Sequence, residues 1–183
     1  MRKKRRFLFA VALFMLALPS ILIAGGSKED SGVEIAEQSV RIEENWGFSW
    51  RFMGDEIEFT VSAPTTGWVG IGFNPSRMMA DAHFVLAYVS GDTVHARDDY
   101  GTGRTTHAAD VSLGGTDDVR VISGQEANGV TTVVFALPLD SGDAYDVVFT
   151  PGETYTVLLA YGANSANNFT GMHRGRTSIE VVL

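Results

Sequence analysis

Residues Gly67 to Val89 read Gly-Trp-Val-Gly-Ile-Gly-Phe-Asn-Pro-Ser-Arg-Met-Met-Ala-Asp-Ala-His-Phe-Val-Leu-Ala-Tyr-Val. Two runs rich in β-branched and aromatic residues, Trp68 to Phe73 and His83 to Val89, read as strands. Between them a connector holds Asn74, Pro75 and Asp81, which suit a turn, and two adjacent methionines, Met78 and Met79, which do not. A methionine in such a place either fills a gap at the end of a core or offers a soft sulfur ligand.

Outward from this stretch the β signal continues in both directions. Glu56 to Ser62, Glu-Ile-Glu-Phe-Thr-Val-Ser, has a period of two that puts Ile57, Phe59 and Val61 on one face. Before it, Ser39 to Glu44 alternates and Phe48 to Met53 is aromatic. Trp46 and Trp50, four apart, fall on the same face of a strand. After it, Thr93 to Arg97 reads as a short strand that ends in a loop, Asp98 to Arg104. Val119 to Ser123 and Val130 to Leu137 form a hairpin around Asn128-Gly129, a strong turn dipeptide. Tyr155 to Tyr161 is a buried strand, Gly162 to Gly171 a polar loop, and Thr177 to Leu183 a closing strand. No helix pattern of useful length follows the N-terminal segment. About ten short strands separated by turns define an all-β fold, an antiparallel sandwich.

The chain opens with five basic residues in its first six, then an uncharged apolar run from Phe7 to Leu18, then Pro19, Ser20 and small residues. This is the layout of an export signal over residues 1–24, with an uncleaved membrane anchor as its rival. Residues 25–37 are small, polar and charged, a flexible tether, and residues 38–183 form one domain. Export places the protein in a periplasmic or extracellular space, with membrane contact only through the N-terminal segment. The whole chain has 14 basic against 22 acidic side chains. The signal takes five of the basic ones and none of the acidic, which leaves nine against 22, a net charge of −13. Such a surface repels nucleic acid and anionic membranes. With no cysteine, disulfides, thiol catalysis and iron–sulfur clusters are excluded.

No phosphate-binding glycine loop, His-Glu-x-x-His or Gly-x-Ser-x-Gly elbow is present, so the chain reads as a binding or electron-transfer module, not an enzyme. Asp140, Asp143 and Asp146, three apart, have the chemistry for calcium. They lack a twelve-residue calcium loop, and Asp is expected in turns for its local hydrogen bonds. Of four histidines, His83 and His95 lie in or beside strands, with structural or surface roles, and His107 lies in a loop. His173 stands at a strand entrance, where binding residues collect at a sandwich rim. Trp46, Trp50, Trp68, Tyr100 and Tyr161 either fill the core or build a platform for a sugar.

The order of these motifs resembles the DOMON domain superfamily. The likeness runs from the Gly67–Val89 stretch through Val94-His-Ala-Arg-Asp-Asp-Tyr-Gly101, Val134 to Asp146, and Tyr155-Thr-Val-Leu-Leu-Ala-Tyr-Gly162 to His173-Arg-Gly before the last strand. It covers roughly residues 38–183. The resemblance implies an immunoglobulin-like β-sandwich that binds haem or sugar. In the haem-binding branch, which includes the cytochrome domain of cellobiose dehydrogenase, one methionine and one histidine ligate haem b. Those positions fall on Met79, with Met78 as the fallback, and on His173. Arg77 stands beside the methionines, to pair with a haem propionate or stay solvated, and Trp68 completes the implied cofactor set. A haem held at both axial positions carries electrons rather than activating oxygen, so the implied partner is a redox protein. The alternative is a non-haem module for sugar or another small molecule.

Overall fold

A computed structural model describes residues 37–183; the export signal expected over residues 1–24 and all but the last residue of the tether lie outside the described residues. Eleven strands and one helical turn follow in order: β1 (Gln38–Glu43), β2 (Trp46–Met53), β3 (Glu56–Ala63), β4 (Val69–Phe73), β5 (His83–Ser90), β6 (Thr93–Gly103), β7 (Thr106–Ala109), α1 (Asp110–Leu113), β8 (Arg120–Ala127), β9 (Val130–Pro138), β10 (Thr154–Gly162) and β11 (His173–Val182). They form two antiparallel sheets, one in the order β1-β2-β3-β9-β8 and the other β11-β10-β4-β5-β6-β7. The fold is the expected β-sandwich.

The first sheet follows the period of two. Trp46, Phe48, Trp50 and Phe52 of β2 are buried, as are Ile57, Phe59, Val61 and Ala63 of β3. Trp46 and Trp50 are therefore core residues and supply no sugar platform. Phe59 packs within 5.1–5.7 Å of the rings of Phe73, Phe135 and Phe149, so the two sheets meet through aromatic side chains. The β8–β9 hairpin turns at Asn128 and Gly129, both with positive φ (54° and 78°), the conformation a two-residue hairpin needs to match strand twist.

The second sheet breaks the period. Every residue of β4 is buried, and so are the first five of β5. One face of these strands, Val69, Ile71, Phe73 and Val85, belongs to the core. The other face carries Gly70, Gly72, Phe84 and Leu86, and it is also shielded from solvent. An antiparallel sheet usually wets one face, so burial on both sides marks a second apolar surface outside the sandwich core.

Asp98 to Arg104 is not the loop its polarity suggests. β6 continues to Gly103, paired with β5 as far as Tyr100 and with β7 from Asp99 to Gly103, across a register shift between Tyr100 and Gly103. The strand tolerates Asp98 and Asp99 because each has a built environment. Their partners Val85 and Phe84 lie on opposite faces of β5, so the two carboxylates serve opposite sides of the sheet.

Candidate functional site

The outer face of the second sheet forms a cleft of about 680 Å³, within the ~300–1,000 Å³ range of small-molecule and cofactor sites. Its floor is Gly70, Phe84, Leu86, Leu158 and Ala160. Trp68 closes one side. The indole lies over Gly162, where a Cβ would come within 2.3 Å of Nε1, so a side chain at 162 would expel the ring. Trp68 is buried, yet its Nε1 has no hydrogen-bond partner, although a buried indole N–H ordinarily finds one.

Two segments far apart in sequence supply the walls. The connector between β4 and β5 brings Met78 and Met79; the start of β11 and the loop before it bring Met172 and His173. The connector is pinned down despite its polarity. Ser76 N–H donates to Ala80 O (2.9 Å), Asp81 N–H to Gly101 O and Gly101 N–H to Ala82 O (both 2.8 Å), and the Tyr100 hydroxyl to Asp81 Oδ1 (3.2 Å). Asn74, Met78 and Asp81 have positive φ (49°, 59° and 62°). For Asn and Asp this is common. For Met it is strained, and such strain gathers where a segment must aim a side chain. Met79 is half-buried and Met78 exposed.

Of the sequence-derived candidates, Met79, His173 and Trp68 thus share one cleft, with Met78 beside them. Arg77 is exposed on the connector and stands apart from the cleft lining; the arginines that line it are Arg104 and Arg176. His107 is a further member. It lies on β7, not in a loop, and lines the cleft. Asp99 pairs with His107 Nδ1 and accepts from Arg97 Nε (2.5 Å) and Nη2 (2.7 Å). Arg97 in turn covers the ring of Phe169 at 4.6 Å. The one hint in the sequence was the placement of Arg97, Asp99 and His107 near one another, with nothing to show that they share a face.

On the inner face, at the end of the core, lies a second polar group. His83, Asp98 and Asp110 are all buried. His83 Nε2 is 3.1 Å from Asp98 Oδ1 and 3.6 Å from Asp146 Oδ1, aligned for a hydrogen bond with neither, and Val147 N–H donates to Nδ1 (3.2 Å). Burial lowers the His83 pKa, but the close approach and charge of Asp98, with the charges of Asp146 and Asp110, turn the net shift upward. Asp110 is pushed up to about 7 by burial and by the charges of Asp98 and Asp146, and Asp146 to about 6, chiefly by burial.

A two-sheet sandwich with an apolar cleft on one outer face is the class of protein this geometry defines. The chain belongs to the DOMON domain family, whose model matches residues 43–162. It is 26% identical over 136 residues to MOXD1 homolog 2 of Drosophila melanogaster, an alignment that spans 73% of this chain and 17% of that protein. Among solved structures it resembles the cytochrome b domain of pyranose dehydrogenase from Coprinopsis cinerea (TM-score 0.55, 15% identity, 76% of this chain and 78% of that one). It also resembles the cytochrome domain of Myriococcum thermophilum cellobiose dehydrogenase (TM-score 0.53, 11% identity, 80% and 81%). At these identities the likeness is one of fold.

Proposed function

We propose that this domain holds haem b in the outer cleft, with Met79 and His173 as axial ligands, and passes electrons to a separate redox protein. The observation that carries this reading is the convergence of a thioether and an imidazole, 94 positions apart in the sequence, on one apolar cleft. The rest of the lining suits the same group. Phe84, Leu86, Leu158 and Ala160 offer an apolar bed to a flat macrocycle, Arg104 and Arg176 offer cations to propionates, and the unpartnered Trp68 N–H offers a donor. When bound, haem supplies a one-electron couple, and a thioether ligand raises its potential.

The chain's own residues orient and protect that group. The connector holds the sulfur through backbone hydrogen bonds, and β11 holds the imidazole at its first residue. Asp99 engages Nδ1 of His107 and so fixes the orientation of this ring in the cleft wall. We extend the proposal to location: the N-terminal segment directs export, and the domain works in a periplasmic or extracellular space.

The test is an absorption spectrum of the purified protein and of the protein reconstituted with haem. A low-spin spectrum is expected, with the thioether ligand lost in Met79→Ala, haem lost in His173→Ala and both retained in His107→Ala. A colourless protein that takes up no haem refutes the proposal. Oligosaccharide binding weakened by Trp68→Ala but indifferent to Met79→Ala would select the sugar-binding alternative.

A further inference from the structure

The buried acidic group at the end of the core, on the opposite face of the sheet from the cleft, has no part in the proposed electron transfer. Asp98 comes from β6, Asp110 from α1, and Asp146 from the segment between β9 and β10. Asp98 and Asp110 are within 1% of full burial. Asp98 Oδ1, both oxygens of Asp110 and Asp146 Oδ1 are buried without a hydrogen-bond partner. Asp98 Oδ1 and Asp146 Oδ1 have the His83 ring at 3.1 and 3.6 Å, out of line for a hydrogen bond, and the Asp110 oxygens have no partner; carboxylates so desolvated are costly unless something positive lies between them.

The domain's arginine pairs lie elsewhere, Arg51 with Glu58, Arg97 with Asp99 and Arg120 with Glu56, and no lysine occurs among the described residues. His83 alone is cationic when protonated, and it faces three carboxylates. Just beyond, Asp118 and Asp143 add two more, with Asp146 common to both groups. One donor atom from each of His83, Asp98 and Asp146 lies within 4.8 Å of the others, and the same holds for Asp118, Asp143 and Asp146. Two oxygens on opposite sides of one calcium ion stand about 4.6–5.2 Å apart, given bonds of about 2.3–2.6 Å.

The residual hydrogen bonds decide the kind of ion. Val147 N–H donates to His83 Nδ1, which puts the single proton of the neutral ring on Nε2, facing the carboxylates. His83 therefore presents a donor and no lone pair, and it orients the carboxylates from outside the coordination shell. The available ligands are all oxygen, the preference of a hard cation. The other oxygens are already fixed in place. Asp146 Oδ2 accepts from Ser141 Oγ (2.6 Å), Asp143 accepts from the N–H groups of Thr116 (2.6 Å) and Tyr145 (2.9 Å), and Asp98 Oδ2 accepts from Asp118 N–H (3.3 Å).

We propose that Asp98, Asp110 and Asp146, supported by Asp118 and Asp143, form a calcium site that ties β6, α1 and the β9–β10 segment together. The sheet is shared with the cleft, but the donors are different residues on its other face, so this site stands or falls apart from haem binding.

The full chain as purified, stripped with chelator, is titrated with CaCl2 by calorimetry and melted with and without the ion. Saturable binding is expected at about 10⁻⁴–10⁻³ M, the range of extracellular calcium modules. At ten times that concentration the melting temperature should rise by roughly 3–6 °C. The double variant Asp110→Asn, Asp146→Asn should melt cooperatively in chelator, no lower than the parent because buried repulsion is relieved, and should show no response to CaCl2. No heat and no shift in the parent at millimolar CaCl2 overturns the proposal. So does a parent that answers to ZnCl2 alone with a response lost in His83→Gln, since the ring would then be a ligand. Haem uptake measured on the same double variant is expected to be retained, which separates this result from the fate of the cleft.

Discussion

Gly101 tests the link between strand pairing and the aim of Met79. It lies on β6, beneath the connector, with its N–H donating to Ala82 O and its carbonyl accepting from Asp81 N–H, both at 2.8 Å. A Cβ at this position would sit 1.8 Å from Met79 O and 3.1 Å from Ala82 N, both backbone atoms that cannot swing aside. Carbon and carbonyl oxygen settle at about 3.3–3.6 Å, so Gly101→Ala must push the connector out by roughly 1.5 Å. That displacement strains or breaks two backbone hydrogen bonds at about 0.5–1.5 kcal/mol each, a loss of about 2 kcal/mol. For a domain of this size the melting temperature falls by roughly 4–8 °C. For the proposed ligation by Met79, it also withdraws the sulfur by several times the ~0.2 Å tolerance of a metal–ligand bond. Thermal melts of the haem-free variant and spectra of the reconstituted one read the two effects separately. Gly103→Ala is the control on the same strand: its Cβ would meet only the movable Thr106 hydroxyl, at 2.8 Å, and should cost little. A Gly101→Ala protein with parental melting and parental thioether ligation would refute the reasoning.

Two further outcomes follow from backbone strain and from buried charge. Met78 has φ of 59°, which an L-residue adopts at a cost of about 1–2 kcal/mol. Met78→Gly should therefore stabilise the haem-free protein by up to about 1 kcal/mol while leaving the proposed Met79 ligation in place, and a loss of the thioether signature in this variant would move the ligand to Met78. In chelating buffer, Asp110 faces Asp98, Asp146, Asp143 and His83, and its pKa of about 7 lies above the ordinary 3.8. Between those values the folded protein keeps a proton that the unfolded chain has released, so stability falls as pH rises from about 4 to 7, by at most about 4 kcal/mol from this group. The raised pKa of His83 acts in the same direction, its contribution being lost as pH rises through the folded value. Asp110→Asn should flatten the slope, as chemical denaturation at several pH values would register; an unchanged slope would show that Asp110 does not hold its proton in the fold.

Much of the sandwich could be read from local pattern because its signals are local. The alternation of Glu56 to Ser62, the Asn128-Gly129 turn and the spacing of Trp46 and Trp50 each depend on residues within a few positions of one another. Where polarity and pairing compete, the local signal misleads. Asp98 to Gly103 looks like a loop, yet it is strand, because the carboxylates find partners from β5 and β7 that the sequence cannot place. The cleft divides in the same way. Met79 and His173 were identifiable through resemblance, and they do come to one cleft, whereas Arg104, Arg176 and His107 could be assigned to it only once the register of β6, β7 and β11 was known. The acidic turn repeats the lesson. Asp140 caps Gly142 N–H, an ordinary turn role, while Asp143 and Asp146 converge with carboxylates up to 48 positions away.

The double-sided burial of β4 and β5 bears on the order in which the molecule is put together. The inner face of this sheet is already filled by Ile71, Phe73, Val85 and their neighbours from the first sheet. Whatever enters the outer cleft is added to a finished sandwich rather than serving as its nucleus. Folding and loading are therefore separable events. A chain made without its ligand can reach the native topology first and acquire the ligand afterwards, from the outside, without reopening the core.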